Sequence, residues 1–361
     1  MPVANISVCS AALTVVREHG FSAAIDAVAE AAHPPHRALR RAWYAATVGA
    51  AAPSTLVLRD GALVRAALPL RREGPPLAGG RSVAGYYWPL NVFPVAHDLS
   101  DVELTVLLTA LRRHASAFRM GPVNEDDPLA EAIARTASAA GWRLCTRRVA
   151  TRFEFALDRP GWPKPSRLKR NRYHEKQLSA HGALSWHYHS GADWTERLVA
   201  ELADVEGRSW INQSDACNFH RPANAAFWLG ATRDPEIADA LEVAVLRIDG
   251  RAGAFSFAMV SGDVAYLIAS AYDQAIGEDS PGKVLAYRHF VRLRERGVRY
   301  VDWGGGDGGY KSRMGAVRAA DIVDLLLVPS WVPFGSEIAR RWQRSGNQAS
   351  DEPSDAAAEE G

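Results

Sequence analysis

The sequence predicts an α/β protein in which one structural unit is used twice. Residues 55–70 and 243–260 each contain two β-rich runs joined by an Asp-Gly pair, which is a strong signal for a β-hairpin. Each hairpin is followed by a helical pattern that leads into a further strand. A chain of 361 residues is also long for a single core. We therefore expect an internal duplication, although two similar hairpin–helix–strand runs can also arise by chance. The two turns are Asp60-Gly61 and Asp249-Gly250.

Composition and charge place the chain among ordinary globular proteins. Hydrophobic residues make up 47% of it, charged residues make up 23%, and the formal net charge is +1. No global attraction to nucleic acid or to a membrane follows from that balance, although a local basic patch is compatible with it. No apolar run reaches the ~20 residues that span a bilayer. Residues 345–361 are small, polar and acidic, which predicts a disordered acidic tail.

Cysteine usage indicates a reducing cytoplasm. Cys9, Cys145 and Cys217 are widely spaced and form no CxxC pair, so neither a disulfide framework nor a zinc motif is indicated. Cys217 and His220 are three residues apart, but no second pair of ligands stands nearby. We expect a cytoplasmic protein without a metal.

The segment between the two repeats, residues 159–182, contains three prolines followed by the most basic stretch of the chain. The prolines predict a break, and a helix capped by Ser166 is expected to follow. One interpretation is a solvated connecting helix. The other is a patch that faces an anionic ligand, such as a nucleotide tail or RNA. The basic residues are Arg167, Lys169, Arg170, Arg172 and Lys176.

The helix that opens at Ser100 in the first repeat has an acidic start. Ser100-Asp101-Val102-Glu103 has the pattern of a capping box, in which Glu103 reaches back to the cap. Both acids suit the positive end of a helix. The capping side chains of such a terminus bond to its free backbone N–H groups, and the negative charge of the two acids repels an incoming anion.

The corresponding helix of the second repeat starts with the opposite chemistry. Ser280 is expected to cap it, and Pro281 suits the first helical position. Gly282 leaves room for close approach, and Lys283 adds a positive charge. Free amides, a helix dipole and a lysine together suit a phosphate, although Ser-Pro-Gly is also simply an efficient helix start. The second repeat is therefore the expected working half.

Several segments in a fixed order resemble the CelD/BcsL-like branch of the GNAT acyltransferases, which is related to the FemABX aminoacyl-ligases. They are "DGALVRAALPL", "SRLKRNRYHEKQLSAHG", "GRSWINQSDACNFHRPANAAFWLG", "RIDGRAGAFSFAMV", "SPGKVL" and "RGVRYVDWGGGDGGYKSRMG". The resemblance spans roughly residues 40–330 and implies two tandem GNAT-like domains in an α/β fold with a mixed sheet. The implied organisation is a degenerate N-terminal domain, a basic linker and a C-terminal domain with the donor site, with bounds of 1–158, 159–182 and 183–335.

The resemblance also implies where a donor binds. Members of this group hold an acyl thioester of coenzyme A, or an aminoacyl-tRNA, on the loop and helix that follow the fourth strand. The loop "QAIGEDSPG" keeps only fragments of the usual GNAT loop pattern. The implied donor-binding residues are Ala269, Ser270, Tyr272, Ser280, Pro281, Gly282 and Lys283.

The glycine-rich stretch "DWGGGDGGYKSRMG" is expected to follow the fifth strand, beside the gap in which the reactive acyl group of a GNAT lies. Asp302 and Asp307 are the candidates to receive a proton or to hold a cationic acceptor. Tyr310 is a candidate to protonate the leaving thiolate, and Lys311 to stabilise negative charge or to anchor an anionic substrate. The alternative is a flexible surface loop with a solvated lysine.

The resulting functional expectation is an acyltransferase with acyl-CoA, such as acetyl-CoA, as its co-substrate. The acceptor is expected to be an amine, or a hydroxyl, of a small molecule or a cell-envelope precursor. Two alternatives remain open. An aminoacyl-tRNA-dependent ligase would make nucleic acid a partner, and a GNAT-fold binding protein would not catalyse at all.

Overall fold

The computed structural model describes residues 13–47, 53–74, 79–86, 90–213, 217–307, 309–331 and 342. The predicted acidic tail at 345–361 lies outside these residues. The described part is an α/β fold centred on one mixed sheet of twelve strands. The strands are β1 Leu13–His19, β2 Ser54–Asp60, β3 Leu63–Arg72, β4 Gly80–Val83, β5 Ala117–Asn124, β6 Trp142–Ala156, β7 Leu184–His189, β8 Leu241–Ile248, β9 Arg251–Ser261, β10 Val264–Tyr272, β11 Tyr300–Gly305 and β12 Val317–Pro329.

The helices lie in the connections between these strands. They are α1 Ala24–Glu30, α2 Arg41–Ala45, α3 Asp101–Leu111, α4 Pro128–Thr136, α5 Pro165–Leu178, α6 Glu196–Gly207, α7 Pro222–Ala231, α8 Pro235–Ala240, α9 Pro281–Glu295 and α10 Tyr310–Met314. Short 3₁₀ segments occur at Pro34–His36, Ser179–His181, Gly191–Asp193, Trp210–Gln213 and Gln274–Asp279.

The order of the strands has an approximate two-fold symmetry. Across the sheet the order is β1-β2-β3-β4-β5-β12-β6-β11-β10-β9-β8-β7. The first five strands of each half lie side by side in chain order, but the sixth strands are exchanged. β6, which ends the first half, pairs with β11 of the second half, and β12 pairs with β5 of the first half. β6 and β12 also pair with each other and join the two halves.

Both predicted hairpins are present. β2 pairs with β3 and β8 pairs with β9, and each pair is antiparallel. Gly61 and Gly250 have φ angles of 55° and 81°, which glycine adopts without steric cost. The sequence therefore predicted the repeated unit, including its helical crossover to the next strand.

The crossover through α9 produces a short parallel pairing. β10 and β11 pair only at three positions, from Val264 with Tyr300 to Tyr266 with Asp302. Beyond that point the two strands are no longer bonded to each other, and β10 has a register shift between Leu267 and Ala269. The fourth and fifth strands of the second half thus separate and leave a gap, as the resemblance implied.

Helices cover both faces of the second half. Phe255 and Phe257 of β9 belong to the large core that includes Leu202 of α6. The hydroxyl of the intervening residue, Ser256, points to the other face and is hydrogen-bonded to Nδ1 of His289 in α9, with 2.9 Å between the two atoms. Since side chains alternate along a strand, α6 and α9 pack on opposite faces of the sheet.

The predicted cap of α5 is wrong. The helix begins at Pro165 with Lys164 at the N-cap position, and no side chain bonds to the first turn. Ser166 lies inside that turn. Proline suits the first helical position because its missing N–H would have no partner there, and this places the helix start before the serine.

Candidate functional site

A cationic cavity of about 360 Å³ lies between α5, the first turns of α9 and the α10 region. Six positively charged side chains line it, together with five aromatic ones and no carboxylate. The cations are Arg159, Lys164, Arg167, Arg170, Lys283 and Arg313. The aromatic residues are Phe155, Trp162, Tyr287, Phe290 and Tyr310.

Helical periodicity brings these side chains together. Arg167, Asn171 and His174 of α5 are spaced at i, i+4 and i+7 and all line the cavity, because residues with this spacing share one face of a helix. Lys283 and Tyr287 of α9 follow the same rule. The most basic stretch of the sequence thus faces the helix start that was predicted to bind an anion.

The six cations are not neutralised by the chain. None of them forms an ion pair with an acidic side chain within the described residues. By contrast Arg288, on another face of α9, binds Glu175 of α5 through two hydrogen bonds of 2.7 and 2.8 Å. The sequence therefore provides carboxylates where these helices meet outside the cavity, but not inside it.

The cations repel one another. Burial lowers the pKa of Lys283, and the charges of Arg170 and Arg313 lower it further. Burial likewise lowers the pKa of His174, with Arg170 and Lys283 adding to the effect and Asp279 opposing it. An anion bound in the cavity would relieve this repulsion.

Arginine side chains also order the loop on the far side of the cavity. Arg159 donates to the carbonyl oxygen of Gly315 at 3.1 Å, and Arg167 donates to that of Arg313. The guanidinium of Arg159 lies 4.4 Å from the centre of the Phe155 ring. The arginines are thus held at the cavity wall by carbonyl oxygens and an aromatic ring. Because none of these partners carries a negative charge, the positive charge of the arginines stays available to a ligand.

Two tyrosines bring hydroxyl groups to the cavity. The buried hydroxyl of Tyr287 has no hydrogen-bond partner within the described residues, and an unsatisfied buried hydroxyl is unusual. Burial, with the nearby charge of Asp307, raises the pKa of Tyr310 to about 12, so this phenol keeps its proton at neutral pH. Its ring packs edge-on against Trp303, with 5.6 Å between ring centres.

The start of α9 differs from the predicted cap. Ser280 occupies the N-cap position, but its backbone is left-handed, with φ +57° and ψ +46°, and its side chain makes no capping bond. Pro281 is the first helical residue, as predicted. A Cβ on Gly282 would lie 3.1 Å from the ring of Tyr272. The close approach that Gly282 permits is therefore to Tyr272.

The seven residues predicted to bind the donor do not all reach the cavity. Lys283 lines it, and the other six do not. Ser270 is exposed on β10 and Ala269 is half-buried. Tyr272 fills the space between the loop and α9, where its ring is also 3.3 Å from a Cβ built on Gly277.

The four residues predicted to be catalytic are also dispersed, since only Tyr310 lines the cavity. Lys311 is buried, and its Nζ donates to the carbonyl oxygens of Trp303 and Gly305 at 2.7 and 2.9 Å. Asp307 accepts hydrogen bonds from the backbone N–H and the hydroxyl of Ser312. Burial would raise the pKa of Asp307, but these bonds and that from the backbone of Lys311 hold it below its ordinary value.

Asp302 is buried on the sheet. Its Oδ2 accepts from Asn124 at 2.9 Å and lies 3.3 Å from Nη1 of Arg152, and its Oδ1 accepts from the backbone of Gly304 at 3.0 Å. It lies beside the gap between β10 and β11 but not in the cationic cavity.

Sequence reasoning missed several residues of the cavity. Phe155, Arg159 and Trp162 precede α5, and no periodic pattern links them to α9. Arg313 lies in the quoted glycine-rich stretch, but it was not among the four residues singled out there. The spacing of Tyr287 and Phe290 from Lys283 was a usable signal, because i+4 and i+7 place all three on one helix face.

Within the described residues, no group of three or more His, Cys, Asp or Glu side chains is arranged to hold a metal ion. Among the helices that the structure describes, none combines the length and apolarity needed to cross a membrane.

Comparison with known proteins agrees with this architecture. Residues 165–312 match the family model described as an acetyltransferase (GNAT) domain. No curated protein matches the sequence.

Solved structures match over nearly the whole chain at low sequence identity. FemX matches with a TM-score of 0.58 at 12% identity, over 87% of this chain and 97% of FemX. The C-terminal domain (DUF2156) of a putative lysylphosphatidylglycerol synthetase from Agrobacterium fabrum matches with a TM-score of 0.57 at 15% identity, over 89% of this chain and 93% of that one. A conserved protein of unknown function from Bacteroides thetaiotaomicron matches with a TM-score of 0.57 at 14% identity, over 86% and 99% of the two chains. The chain is thus a mixed α/β protein whose fold is similar to that of FemX, and its residues 165–312 match the model of an acetyltransferase (GNAT) domain.

Proposed function

We propose that the protein transfers an acyl group from acyl-CoA to an amine, or a hydroxyl, of a small molecule or a cell-envelope precursor. The observation that carries this proposal is a set of six cations in one cavity at the start of α9, none of which has an ion-pair partner among the described residues. Coenzyme A carries a pyrophosphate and a further phosphate, so it needs several cations close together. A helix start with a lysine in its first turn suits the pyrophosphate, and the aromatic walls suit the adenine ring.

In this proposal Tyr310 gives a proton to the leaving thiolate. The raised pKa of its phenol, about 12, keeps the proton available until the sulfur departs, and its position at the cavity wall is compatible with contact to the donor. Lys311 and Asp307 act as positioning residues. Lys311 ties the end of β11 to α10 through two carbonyl groups, and Asp307 fixes the first turn of α10 through Ser312.

An aminoacyl-tRNA donor is the second candidate, because the outer face of α5 is also basic. Lys169, Arg172 and Lys176 are exposed on it, and Tyr173 between them is 59% exposed. Cations with an exposed aromatic ring suit the backbone and bases of RNA. A tRNA would use this outer face as well as the cavity, whereas coenzyme A needs only the cavity.

The first experiment is thermal melting of the full chain with free coenzyme A, acetyl-CoA and longer acyl-CoAs at low and high salt. A ligand at 100 times its Kd adds ~2.7 kcal/mol to the free energy of unfolding. We expect a clear shift that Lys283→Glu and Arg313→Glu each abolish. Arg251→Glu is the matched control, since Arg251 is an exposed arginine on the β8–β9 hairpin.

Other outcomes discriminate among the candidates. Equal shifts in the wild type and in both cavity variants would refute binding in the cavity. No shift with any thioester, together with RNA binding that weakens steeply with salt, would favour the aminoacyl-tRNA ligase. Thioester binding without turnover across a panel of amine and hydroxyl acceptors would favour a binding protein.

A further inference from the structure

A second group of cations lies in the first half, where α3 ends. The three residues that follow its last turn line a cavity of about 580 Å³ together with Trp331, which is 70% exposed. On the neighbouring strands, Arg72 of β3 is directly opposite Arg81 of β4. The charge of Arg17 on β1 acts on Arg81 and on His114. These cations form the arginine patch, which consists of Arg17, Arg72, Arg81, Arg112, Arg113 and His114.

The described part of the chain does not neutralise the arginine patch. None of its six residues forms an ion pair with an acidic side chain within that part. Like charges directly opposite each other on paired strands are destabilising, so Arg72 and Arg81 weaken the pairing of β3 with β4. Burial lowers the pKa of His114, and the charges of three arginines of the patch lower it further. A bound anion would remove this repulsion.

The end of the helix accounts for only part of the patch. Cations suit the negative C-terminal end of a helix, which explains the three residues after α3 but not the arginines on the strands. A nearby arginine of β5 has the usual partners, since Arg119 contacts Glu73 at 2.9 Å and Asp324 at 3.0 Å. The sequence therefore provides carboxylates to a neighbouring arginine but not to the patch.

The chain passes close to the patch at Trp342. The ring of Trp342 packs against a small hydrophobic cluster that includes Val328 at the end of β12. Arg147 holds it there, with its guanidinium 4.4 Å from the ring centre and a hydrogen bond of 3.2 Å to the Trp342 carbonyl oxygen. The residue after Val328 is Pro329, which lines the same cavity as the patch. The segment beyond Trp342 thus starts beside this cavity.

That segment has the complementary charge. Residues 345–361, which lie outside the described residues, contain five acidic side chains and no lysine or arginine. The first acid, Asp351, is nine residues after Trp342, and nine residues reach up to about 30 Å when extended. This length is sufficient, because the cavity begins next to a residue against which Trp342 packs. The acids are Asp351, Glu352, Asp355, Glu359 and Glu360.

We propose that the acidic tail, residues 345–361, docks on the arginine patch of the first half and neutralises it. Five carboxylates face five arginines and one histidine, and an arginine can bind a carboxylate through two parallel hydrogen bonds. The short connection to Trp342 keeps the local concentration of these carboxylates high. The docked tail prevents external polyanions, such as nucleic acid, from binding to the patch. The docking does not depend on which donor the second half uses.

Titration of His114 by NMR, in the full chain with isotope-labelled histidine, tests the docking. The wild type is compared with a neutral-tail variant of the same length, in which each of the five acids is replaced by its amide. Nearby carboxylates favour the imidazolium form, so the pKa of His114 should be higher in the wild type, and high salt should remove the difference. His114→Gln identifies the signal, and His187 on β7, far along the sheet, is the internal control. Equal titration of His114 in the two proteins at low salt would overturn the docking.

Binding of single-stranded poly(dT) tests the shielding. The neutral-tail variant should bind this probe more tightly than the wild type, with a steeper dependence on salt. Arg81→Gln together with Arg113→Gln in the neutral-tail background should lower the salt slope by about 1.4 and reverse most of the gain. Arg172→Gln together with Lys176→Gln, on the outer face of α5, is the matched control and should leave the gain in place. A gain that only the α5 pair reverses would contradict docking on the arginine patch.

The cationic cavity at the start of α9 is the competing place for the tail. Docking there would exclude coenzyme A, so the neutral-tail variant would then bind coenzyme A more tightly than the wild type. That result, with unchanged titration of His114, would overturn docking on the arginine patch. Equal affinity for coenzyme A in the two proteins, with the expected change at His114, supports it.

Discussion

Lys311 permits a test that separates a structural role from a chemical one. Its ammonium group is buried and bound to two backbone carbonyl oxygens at 2.7 and 2.9 Å. Burial lowers the pKa of Lys311 to about 8, although Asp302 and Asp307 act in the other direction. Lys311→Met removes the charge and both hydrogen bonds and nearly preserves the length of the side chain. We expect it to change how the stability of the protein depends on pH.

The sign of that change follows from where the proton is held. The unfolded chain keeps the Lys311 proton up to the ordinary pKa of 10.5, whereas the folded chain releases it near pH 8. Between these values the unfolded state binds more protons, so Lys311 makes the free energy of unfolding rise with pH. The slope approaches about 1.4 kcal/mol per pH unit, which integrates to roughly 1.5 kcal/mol between pH 8 and about pH 9.5.

At neutral pH two effects oppose each other. Hydrogen bonds to a charged group contribute about 1.5–3 kcal/mol each, and Lys311 makes two. The lowered pKa corresponds to a cost of ~3 kcal/mol for keeping the buried group charged. We therefore expect Lys311→Met to reduce the free energy of unfolding by only roughly 0–3 kcal/mol at pH 7.

Urea unfolding at a series of pH values, followed by tryptophan fluorescence, measures both quantities. The difference in the free energy of unfolding between wild type and Lys311→Met should grow as the pH rises above 8. Lys176→Met is the control, since Lys176 is an exposed lysine of α5, and its difference should stay flat. Parallel pH curves for wild type and Lys311→Met would refute the argument, because they would mean that Lys311 titrates alike in both states.

Three further predictions concern the scaffold of the site. Glu206 is fully buried and accepts hydrogen bonds from the backbone N–H groups of residues 218–220 at 2.9, 2.7 and 2.7 Å. Glu206→Gln should therefore lower the free energy of unfolding by about 3–5 kcal/mol and speed hydrogen exchange of the backbone amides at 217–221. Unchanged exchange at these amides would contradict this. Ser280→Gly should raise the free energy of unfolding by about 1 kcal/mol and keep the acyl-CoA melting shift, because the serine has φ +57° and no capping bond; a lower melting temperature would contradict that reasoning. Residues 159–361 expressed alone should not fold, since β6 would be missing from the centre of the sheet, and a cooperative melting transition of this fragment would show otherwise.

The sequence predicted the parts of the fold that local chemistry determines. Asp-Gly turns fixed both hairpins. Ser100 and Glu103 form the predicted capping box, and Glu103 also binds Arg65 at 2.6 Å. These signals involve residues a few positions apart, which is why a single sequence was enough to read them.

Long-range pairing could not be read in the same way. The predicted domain boundaries of 1–158 and 183–335 assume that each half forms its part of the sheet from its own strands. These boundaries remain a prediction. β6 has 15 residues and lies between β12 and β11, but the sequence of a β-rich run does not indicate which strands it will pair with. The basic helix was predicted without its orientation, so Arg167 and Arg170 could not be linked to Lys283, and Arg159 and Trp162 were missed.

The exchange of the sixth strands explains why a site in the second half depends on the first. Phe155 of β6 forms a wall of the cationic cavity, whereas Glu154, its neighbour along the strand, faces the other side of the sheet. One strand from the first half therefore contributes a wall to the cavity in which the donor is proposed to bind. The corresponding helix start of the first half, closed by its capping box and by Arg65, offers no such place to an anion. Under the proposed function, the donor site of the second half thus has walls built from both copies.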